Sequence, residues 1–507
     1  MILGLLAKRC SGAAYKGAAV KARLTGTQLS LNTRSIRNFH DSDKQSLSMA
    51  KELKQDSVSG PIKDQAESKV SDQVAEYSKY MMNTYTRPPM LVDHGKGCYV
   101  YDTNGNKYLD MTAGIAVLAL GHGHEGVSKV LYEQSKNLNH VSNLFFTKEV
   151  CELAKDVIEK TMSSYKEGNA GIYENRNASF PKIFFTNSGT EATEGALKFA
   201  RKYGKHIASS GTMKVGNSDP TLASDPNLKY HFHCFTGSFH GRSTGALAVT
   251  SNPKYQTPFT PLIPGVTVSK FNETRELSSF INERTCGVIV EPIQGEGGIT
   301  EATEEFLKAV RKRCDQVGAV LIYDEIQCGL GRTGKLWGHN NYSPECSPDI
   351  ITLAKPLANG FPIGAIIVSD KVSQVIKVGD HGSTFGGNPL GCAVGKYVFA
   401  QISDNAFLSQ VQEKGEYFKQ ELQKAIEPYM AKGSSNGAIV EVRGKGLMLG
   451  VEFKEAPSSI VDQALTNGLL LVAAGRNTIR FLPPLIIEKN EIDTCIQLFK
   501  KTLSETL

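Results

Sequence analysis

The chain has 507 residues, with 57 Lys and Arg against 51 Asp and Glu. Seven of those cations (Lys8, Arg9, Lys16, Lys21, Arg23, Arg34 and Arg37) lie in the first 40 residues, which hold no Asp or Glu; the rest of the chain is near neutral, so the basic balance gives no support for a nucleic-acid partner. An apolar fraction of 40% with 21% charged residues excludes a globally disordered chain, and no run of 18 apolar residues offers a membrane-spanning helix.

Residues 1–40 are rich in Arg, Lys, Ser and Thr and free of acids, the composition of a mitochondrial transit peptide. The apolar run at 2–7 is short for a secretory signal, and Arg37-Asn38-Phe39-His40 resembles a matrix-protease site with the cut after Phe39. Ten cysteines occur without a C-x-x-C pair, which fits free thiols in a reducing compartment. Residues 41–73 are polar and read as a tether or frayed helix, so a compact fold is expected from Val74.

Residues 99–102 and 107–110 flank Asn104-Gly105, the signature of a hairpin. Helical periodicity follows at 127–138 and 148–162. Strands are then predicted at 182–186, 230–235, 287–290, 319–323 and 350–353, with helices at 191–203 and 303–317. That alternation describes a mostly parallel sheet with helices on both faces. Polar stretches at 166–179 and 209–228 read as surface insertions. Beyond Asn388-Pro389 a helical segment is expected to about residue 429, then strands at 440–443, 446–453 and 479–483.

Gly329, Gly331 and Gly334 match G-x-G-x-x-G after a strand. No helical period follows them, and the conspicuous acids Asp324 and Glu325 precede them, so a dinucleotide site is set aside. The pairs His122/His124 and His231/His233 lack carboxylates or cysteines at metal spacing and read as turn and strand packing.

Three other features converge. Asn187-Ser188-Gly189-Thr190-Glu191 sits between a strand and a helix; Ser188 with Glu191 forms a capping-box pattern, and the helix N-terminus offers N–H groups to an anion. Taken alone, this pattern fits a plain helix cap equally well. Asp324 and Glu325 close an apolar strand, where an acid commonly meets a ligand and an Asp could hold a protonated ring nitrogen. Lys355 closes the next strand before Pro356; it is either a snorkelling surface lysine or an imine-forming lysine with a lowered pKa. A phosphate cradle, a ring-nitrogen carboxylate and an imine lysine together describe pyridoxal 5'-phosphate.

From about residue 75 onward the chain resembles the subgroup III aminotransferases of the fold type I superfamily. The resemblance is carried by 187–191, Phe239-His240-Gly241-Arg242, 291–298, 324–327, Lys355, 381–389 and 480–484. It implies an α/β fold with a large cofactor domain at 136–390. A smaller α+β domain would comprise 391–507 together with the N-terminal segment 74–135. It also assigns roles. Lys355 carries the cofactor and shuttles the proton, Asp324 keeps the ring nitrogen protonated, Gln327 faces the phenolic oxygen and Phe239 stacks on the ring. Ser188, Gly189 and Thr190 hold the phosphate, with Thr384 reaching it from the neighbouring subunit of a homodimer. Arg242 grips the substrate's far carboxylate, and Glu296 pairs with Arg480 when no carboxylate lies beside the reacting amine.

Within the subgroup, residues 112–122 resemble the substrate-side loop of acetylornithine-type members, with Ile115 where ornithine-type members carry Tyr, and Ser383 is placed beside the acetylamino group. The implied reaction moves the terminal amine of N2-acetyl-L-ornithine to 2-oxoglutarate, a step of arginine biosynthesis, in the mitochondrial matrix. Ornithine, 4-aminobutyrate, a mutase and a non-catalytic subunit remain the alternatives. Relatives often carry glycines after the lysine where this chain has Pro356-Leu357-Ala358, which implies a stiffer loop.

Overall fold

The computed structural model describes residues 61–166, 181–210, 225–430, 437–475 and 477–507. The expected transit peptide, the expected tether as far as residue 60 and most of both expected insertions lie outside the described residues. Helix α1 (Pro61–Ser78) already buries Val70, so ordered chain begins upstream of the expected Val74.

Turn chemistry builds the first sheet. β1 (Val92–Lys96), β2 (Tyr99–Asp102) and β3 (Lys107–Asp110) pair antiparallel, and Gly105 supplies φ +82° in the turn before β3. Leu469–Leu470 adds parallel to β3, so distant C-terminal chain completes this sheet.

The central sheet joins β4 (Lys182–Thr186), β5 (His231–Phe235), β6 (Val266–Ser269), β7 (Thr285–Val290), β8 (Val320–Asp324), β9 (Ile350–Leu353) and β10 (Gly364–Val368). Their spatial order is β4-β10-β9-β8-β7-β5-β6. Pairings are parallel except those of β10, which runs antiparallel to both neighbours. Every residue of β7, β8, β9 and β10 is buried, as apolar runs covered on both faces must be. β6 and β10 lie outside the predicted strands; each is a run of four or five residues that periodicity does not separate from loop.

The longer helices are α2 (Glu125–Asn137), α3 (Lys148–Lys166), α4 (Gly189–Ser209), α5 (Glu304–Val317), α6 (Pro389–Ile402), α7 (Asn405–Ile426) and α8 (Lys489–Thr506). α5 forms for local reasons. The Thr303 hydroxyl accepts from Phe306 N at 3.2 Å, Glu304 and Glu305 face the helix dipole, and Gly318 ends the helix at φ +66°. Its stripe of Phe306, Leu307, Val310, Cys314 and Val317 packs into the core on one side of the sheet. The helical segment expected through 389–429 is broken at Ser403–Asp404, where the Asp404 carboxylate accepts from Ala406 N and Phe407 N to start α7.

A third sheet holds β11 (Ile439–Lys445), β12 (Met448–Phe453), β13 (Val472–Ala474) and β14 (Thr478–Phe481), antiparallel in the order β11-β12-β14-β13. The glycine motif has its use here. Gly331 and Gly334 adopt φ +89° and +80° in a turn after β8, not a helix start. That turn aims the wholly buried Arg332 at the carbonyls of Leu447 and Pro483, fastening the end of β8 to the C-terminal sheet. His233 packs between the hydroxyls of Thr267 and Ser269, while His122 meets the Asp110 carboxylate at 2.7 Å. Among the described residues the cysteines are unpaired, no metal-ligand cluster occurs, and no helix is long and apolar enough to cross a membrane.

Candidate active site

The carboxyl ends of β8 and β9 and the first turn of α4 converge on a cavity of about 900 Å³. Strands running parallel put their chain ends on the same sheet edge, which is where ligands of open α/β sheets sit. Asp324 ends β8 in register with Thr352 of β9, and Lys355 follows three residues later.

Asp324 is 3% exposed. Its Oδ2 lies 2.8 Å from His240 Nδ1, and its Oδ1 accepts from Ile326 N at 3.1 Å. His240 Nε2 and Gln327 Oε1 are buried without hydrogen-bond partners. Burial, then the charge of Arg480, lowers Lys355 from an ordinary 10.5 to about 8, against the pull of Asp324, Glu291 and Glu296. Glu291 accepts from Phe239 N at 3.0 Å and Gly295 N at 3.2 Å; burial pushes its carboxyl up to about 7, against the pull of His240.

At the mouth of α4, the Ser188 hydroxyl accepts from Glu191 N at 3.2 Å, while the Glu191 carboxylate accepts from Asn187 N at 2.8 Å. Gly189 is held to glycine by space: a Cβ there would stand 2.9 Å from the Ile326 side chain. Thr190 Oγ1 lies 2.8 Å from the Ser243 hydroxyl and keeps its place in the cavity wall.

The opposite end is cationic. Arg480, on β14, is 2% exposed and stands 3.1 Å from Glu296 Oε2, yet its Nε and Nη1 make no aligned hydrogen bond. Glu296 Oε1 accepts from the Tyr255 hydroxyl at 2.8 Å. Arg242 lies 4.1 Å from the centre of the Tyr255 ring, and Phe239 meets that ring edge-on. The wall is completed by the loop carrying Ile115, where Ala113, Gly114, Ile115 and Ala116 all take positive φ. The Asp110 carboxylate holds that strained loop by accepting from Thr112 N, Thr112 Oγ1 and Ala113 N at 2.7–3.0 Å.

The cavity thus brings together Ile115, Gly189, Thr190, Phe239, Arg242 and Glu296 with Asp324, Gln327, Lys355 and Arg480. Ser188, Ser383 and Thr384 do not line it. Ser383 Oγ accepts from Asn187 Nδ2 at 3.0 Å and Gly386 N at 3.2 Å, and Thr384 is exposed. Sequence reasoning missed Tyr255, Tyr85 and Thr84, all in the wall, and gave no role to His240 or Glu291 although both stand inside its motifs.

The chain is similar to known proteins over most of its length. A mitochondrial acetylornithine aminotransferase of Yarrowia lipolytica is 45% identical over 427 residues, covering 84% of this chain and 94% of its own. The structure of an ornithine aminotransferase from Toxoplasma gondii with partial occupancy of PLP at its active site superposes with a TM-score of 0.71 at 27% identity, covering 92% of this chain and 97% of its own. For N-acetylornithine aminotransferase from Stenotrophomonas maltophilia the TM-score is 0.64 at 30% identity, covering 85% and 98%. The cavity suits pyridoxal phosphate on its own terms: a helix N-terminus for an anion, a buried carboxylate for a protonated ring nitrogen, an unpartnered amide oxygen and a lysine of lowered pKa. Residues 80–503 match the class-III aminotransferases, and the chain belongs to that family of pyridoxal-phosphate-dependent transaminases.

Proposed function

We propose that the amino donor is N2-acetyl-L-ornithine and the acceptor 2-oxoglutarate, giving N-acetyl-L-glutamate 5-semialdehyde and L-glutamate. The reading is carried by the 45% identity to the Yarrowia acetylornithine aminotransferase over 94% of that protein's length. Ile115 in the cavity wall supports it. Free ornithine would bring an α-ammonium against an alkyl side chain that accepts no hydrogen bond, whereas acetylation leaves a neutral amide.

The chemistry supplied by pyridoxal phosphate when bound is electron withdrawal from the carbon that bears the transferred nitrogen. Lys355 would hold the cofactor through its amine and would move a proton on the substrate face. Asp324 holds a proton at the ring nitrogen, and His240 fixes that carboxylate from behind. Gly189 and Thr190 bind phosphate at the positive end of α4, with Ser188 capping that helix end; Phe239 covers the ring and Gln327 offers its amide to the phenolic oxygen. Arg242 grips the far carboxylate through a planar fork, whereas Ser383, bonded to Asn187 and Gly386 outside the wall, is not placed to meet the acetylamino group within its own subunit.

Two half-reactions present different groups beside the reacting amine: a carboxylate in glutamate, only methylene in the ω-amino donor. An unpaired buried Arg480 in the second case would cost about 3–5 kcal/mol. Glu296, at ion-pair distance, removes that cost and withdraws when a carboxylate arrives.

We further infer a homodimer in which Thr384 serves the partner's cavity, import into the mitochondrial matrix, and division into a large domain at 136–390 and a small one formed by 74–135 and 391–507. The relatives' names and the acid-free leader support the location.

The test is kcat/KM for acetylornithine, ornithine and 4-aminobutyrate under one condition. Acetylornithine is expected to exceed ornithine by roughly a hundredfold. Equal or better turnover of either unacetylated amine overturns the substrate, and turnover without 2-oxoglutarate would mark a mutase.

A further inference from the structure

We infer that Tyr255 sets the specificity of the switch by holding Glu296 in both of its positions. The inference rests on the reading of Glu296 and Arg480 as that switch. Tyr255 sits on a four-residue helix, Pro253–Gln256, touches one substrate-end cation and reaches the other through Glu296: its ring lies under Arg242, and its hydroxyl donates to the carboxylate that faces Arg480. Glu296 is divided between these partners unequally. Its Oε1 is bonded to the phenol at 2.8 Å, while its Oε2 reaches Arg480 Nη1 at 3.1 Å without hydrogen-bond alignment. The phenol and the guanidinium thus share one carboxylate, one through each oxygen.

The consequence has a sign. When an incoming α-carboxylate takes Arg480, Glu296 must leave it, and a carboxylate that loses its partner in a largely buried place is costly. The Tyr255 hydroxyl travels with neither charge and still donates to Glu296 after the exchange, so the open position is not stranded. Removing the hydroxyl penalises the open position and frees Glu296 to close squarely on Arg480. Both effects oppose binding of glutamate and 2-oxoglutarate, and neither touches a donor that has methylene beside its amine. Burial and the bond to Glu296 push the Tyr255 hydroxyl up to about 12, so it remains a donor through the working range.

Tyr255→Phe keeps the ring under Arg242 and deletes only the hydroxyl. The KM for 2-oxoglutarate and the dissociation constant of glutarate, an unreactive dicarboxylate, should each rise about tenfold, the loss of one hydrogen bond to a charged group. The single-turnover half-reaction with the ω-amino donor should stay within about twofold. The double variant Tyr255→Phe/Glu296→Ala should return 2-oxoglutarate to the level of Glu296→Ala alone, because the hydroxyl acts only through that carboxylate. A Tyr255→Phe enzyme whose 2-oxoglutarate KM moves less than about threefold, or a double variant that keeps the full loss, overturns the inference while leaving the switch intact. Equal losses in both half-reactions of Glu296→Ala reject the switch itself, and the inference with it.

Discussion

Lys355 occupies a place that does not favour its own charge. It follows a fully buried strand, faces the Arg480 guanidinium across the cavity, and is lowered to about 8 by burial and by that neighbour. Because the folded pKa lies below the ordinary 10.5, the protonated form is disfavoured by folding, and cofactor-free protein gains stability as pH rises from about 8 toward 10.5. Carbamylation of Lys355 by cyanate in cofactor-free protein, followed by mass spectrometry, should show a midpoint near 8, and Arg480→Gln should raise it. A midpoint at the ordinary lysine value would contradict the assigned environment. This residue and Asp324 were legible in sequence because a charged side chain closing an apolar strand is conspicuous in one dimension. Tyr255 was not, since it meets Glu296 across 41 residues and sits on a four-residue helix too short to show a period. Its role exists only after the chain has folded.

At the scale of elements, the edge of the sheet opposite the site is stapled by Asp349, which precedes β9 and is 6% exposed. Its carboxylate accepts from Arg311 of α5 at 2.9 Å and from Leu321 N of β8 at 2.9 Å, and pairs with Lys371 beyond β10. One side chain thus ties a covering helix to three adjacent strands. Burial alone would raise its pKa, but the charges of Arg311 and Lys371 win and hold it well below the usual 3.8. A folded value below the unfolded one means the contribution is present above that pH and fades as pH falls through it. Asp349→Asn should cost about 1.5–3 kcal/mol at pH 7, because Arg311 and Lys371 lose a buried counter-charge while Arg311 keeps its pair with Asp315. The gap from wild type in urea midpoint should narrow below pH 3.8, and a gap independent of pH would reject the ionic origin. Elements of this kind were legible where periodicity was long: α4 and α5 were foreseen, with α5 located to within one residue. β10 was not, because five apolar residues carry no period and its antiparallel course follows from neighbours on both sides. The break between α6 and α7 was hidden because Ser403 and Asp404 interrupt an otherwise continuous helical pattern by capping alone.

At the scale of the whole molecule, a bare apolar surface stands out among the described residues. Leu144, Phe145 and Phe146 are 83%, 69% and 97% exposed, and Phe385 is 62% exposed. They are contiguous: Asn143 Nδ2 donates to Gly386 O at 2.9 Å, and His140 lies against the Phe385 ring. Three consecutive bare apolar side chains are a liability for a lone subunit and mark a surface to be covered. The exposed Thr384 adjoins them, outside the wall of its own cavity, as a residue serving a second copy would. Phe146→Asp should therefore shift the protein to monomer in sedimentation and abolish turnover together. The sharper test mixes two dead enzymes. Lys355→Ala lacks the amine, and Thr384→Asp sets a carboxylate against the phosphate. If Thr384 serves the partner, a mixed dimer joins an intact Lys355 in one subunit to an intact Thr384 from the other and has one complete site. Random re-association then restores about a quarter of wild-type activity, since half the dimers are mixed and each holds one working site of two. If Thr384 serves its own subunit, every site in the mixture lacks either the lysine or the threonine, and activity stays at the level of the parents.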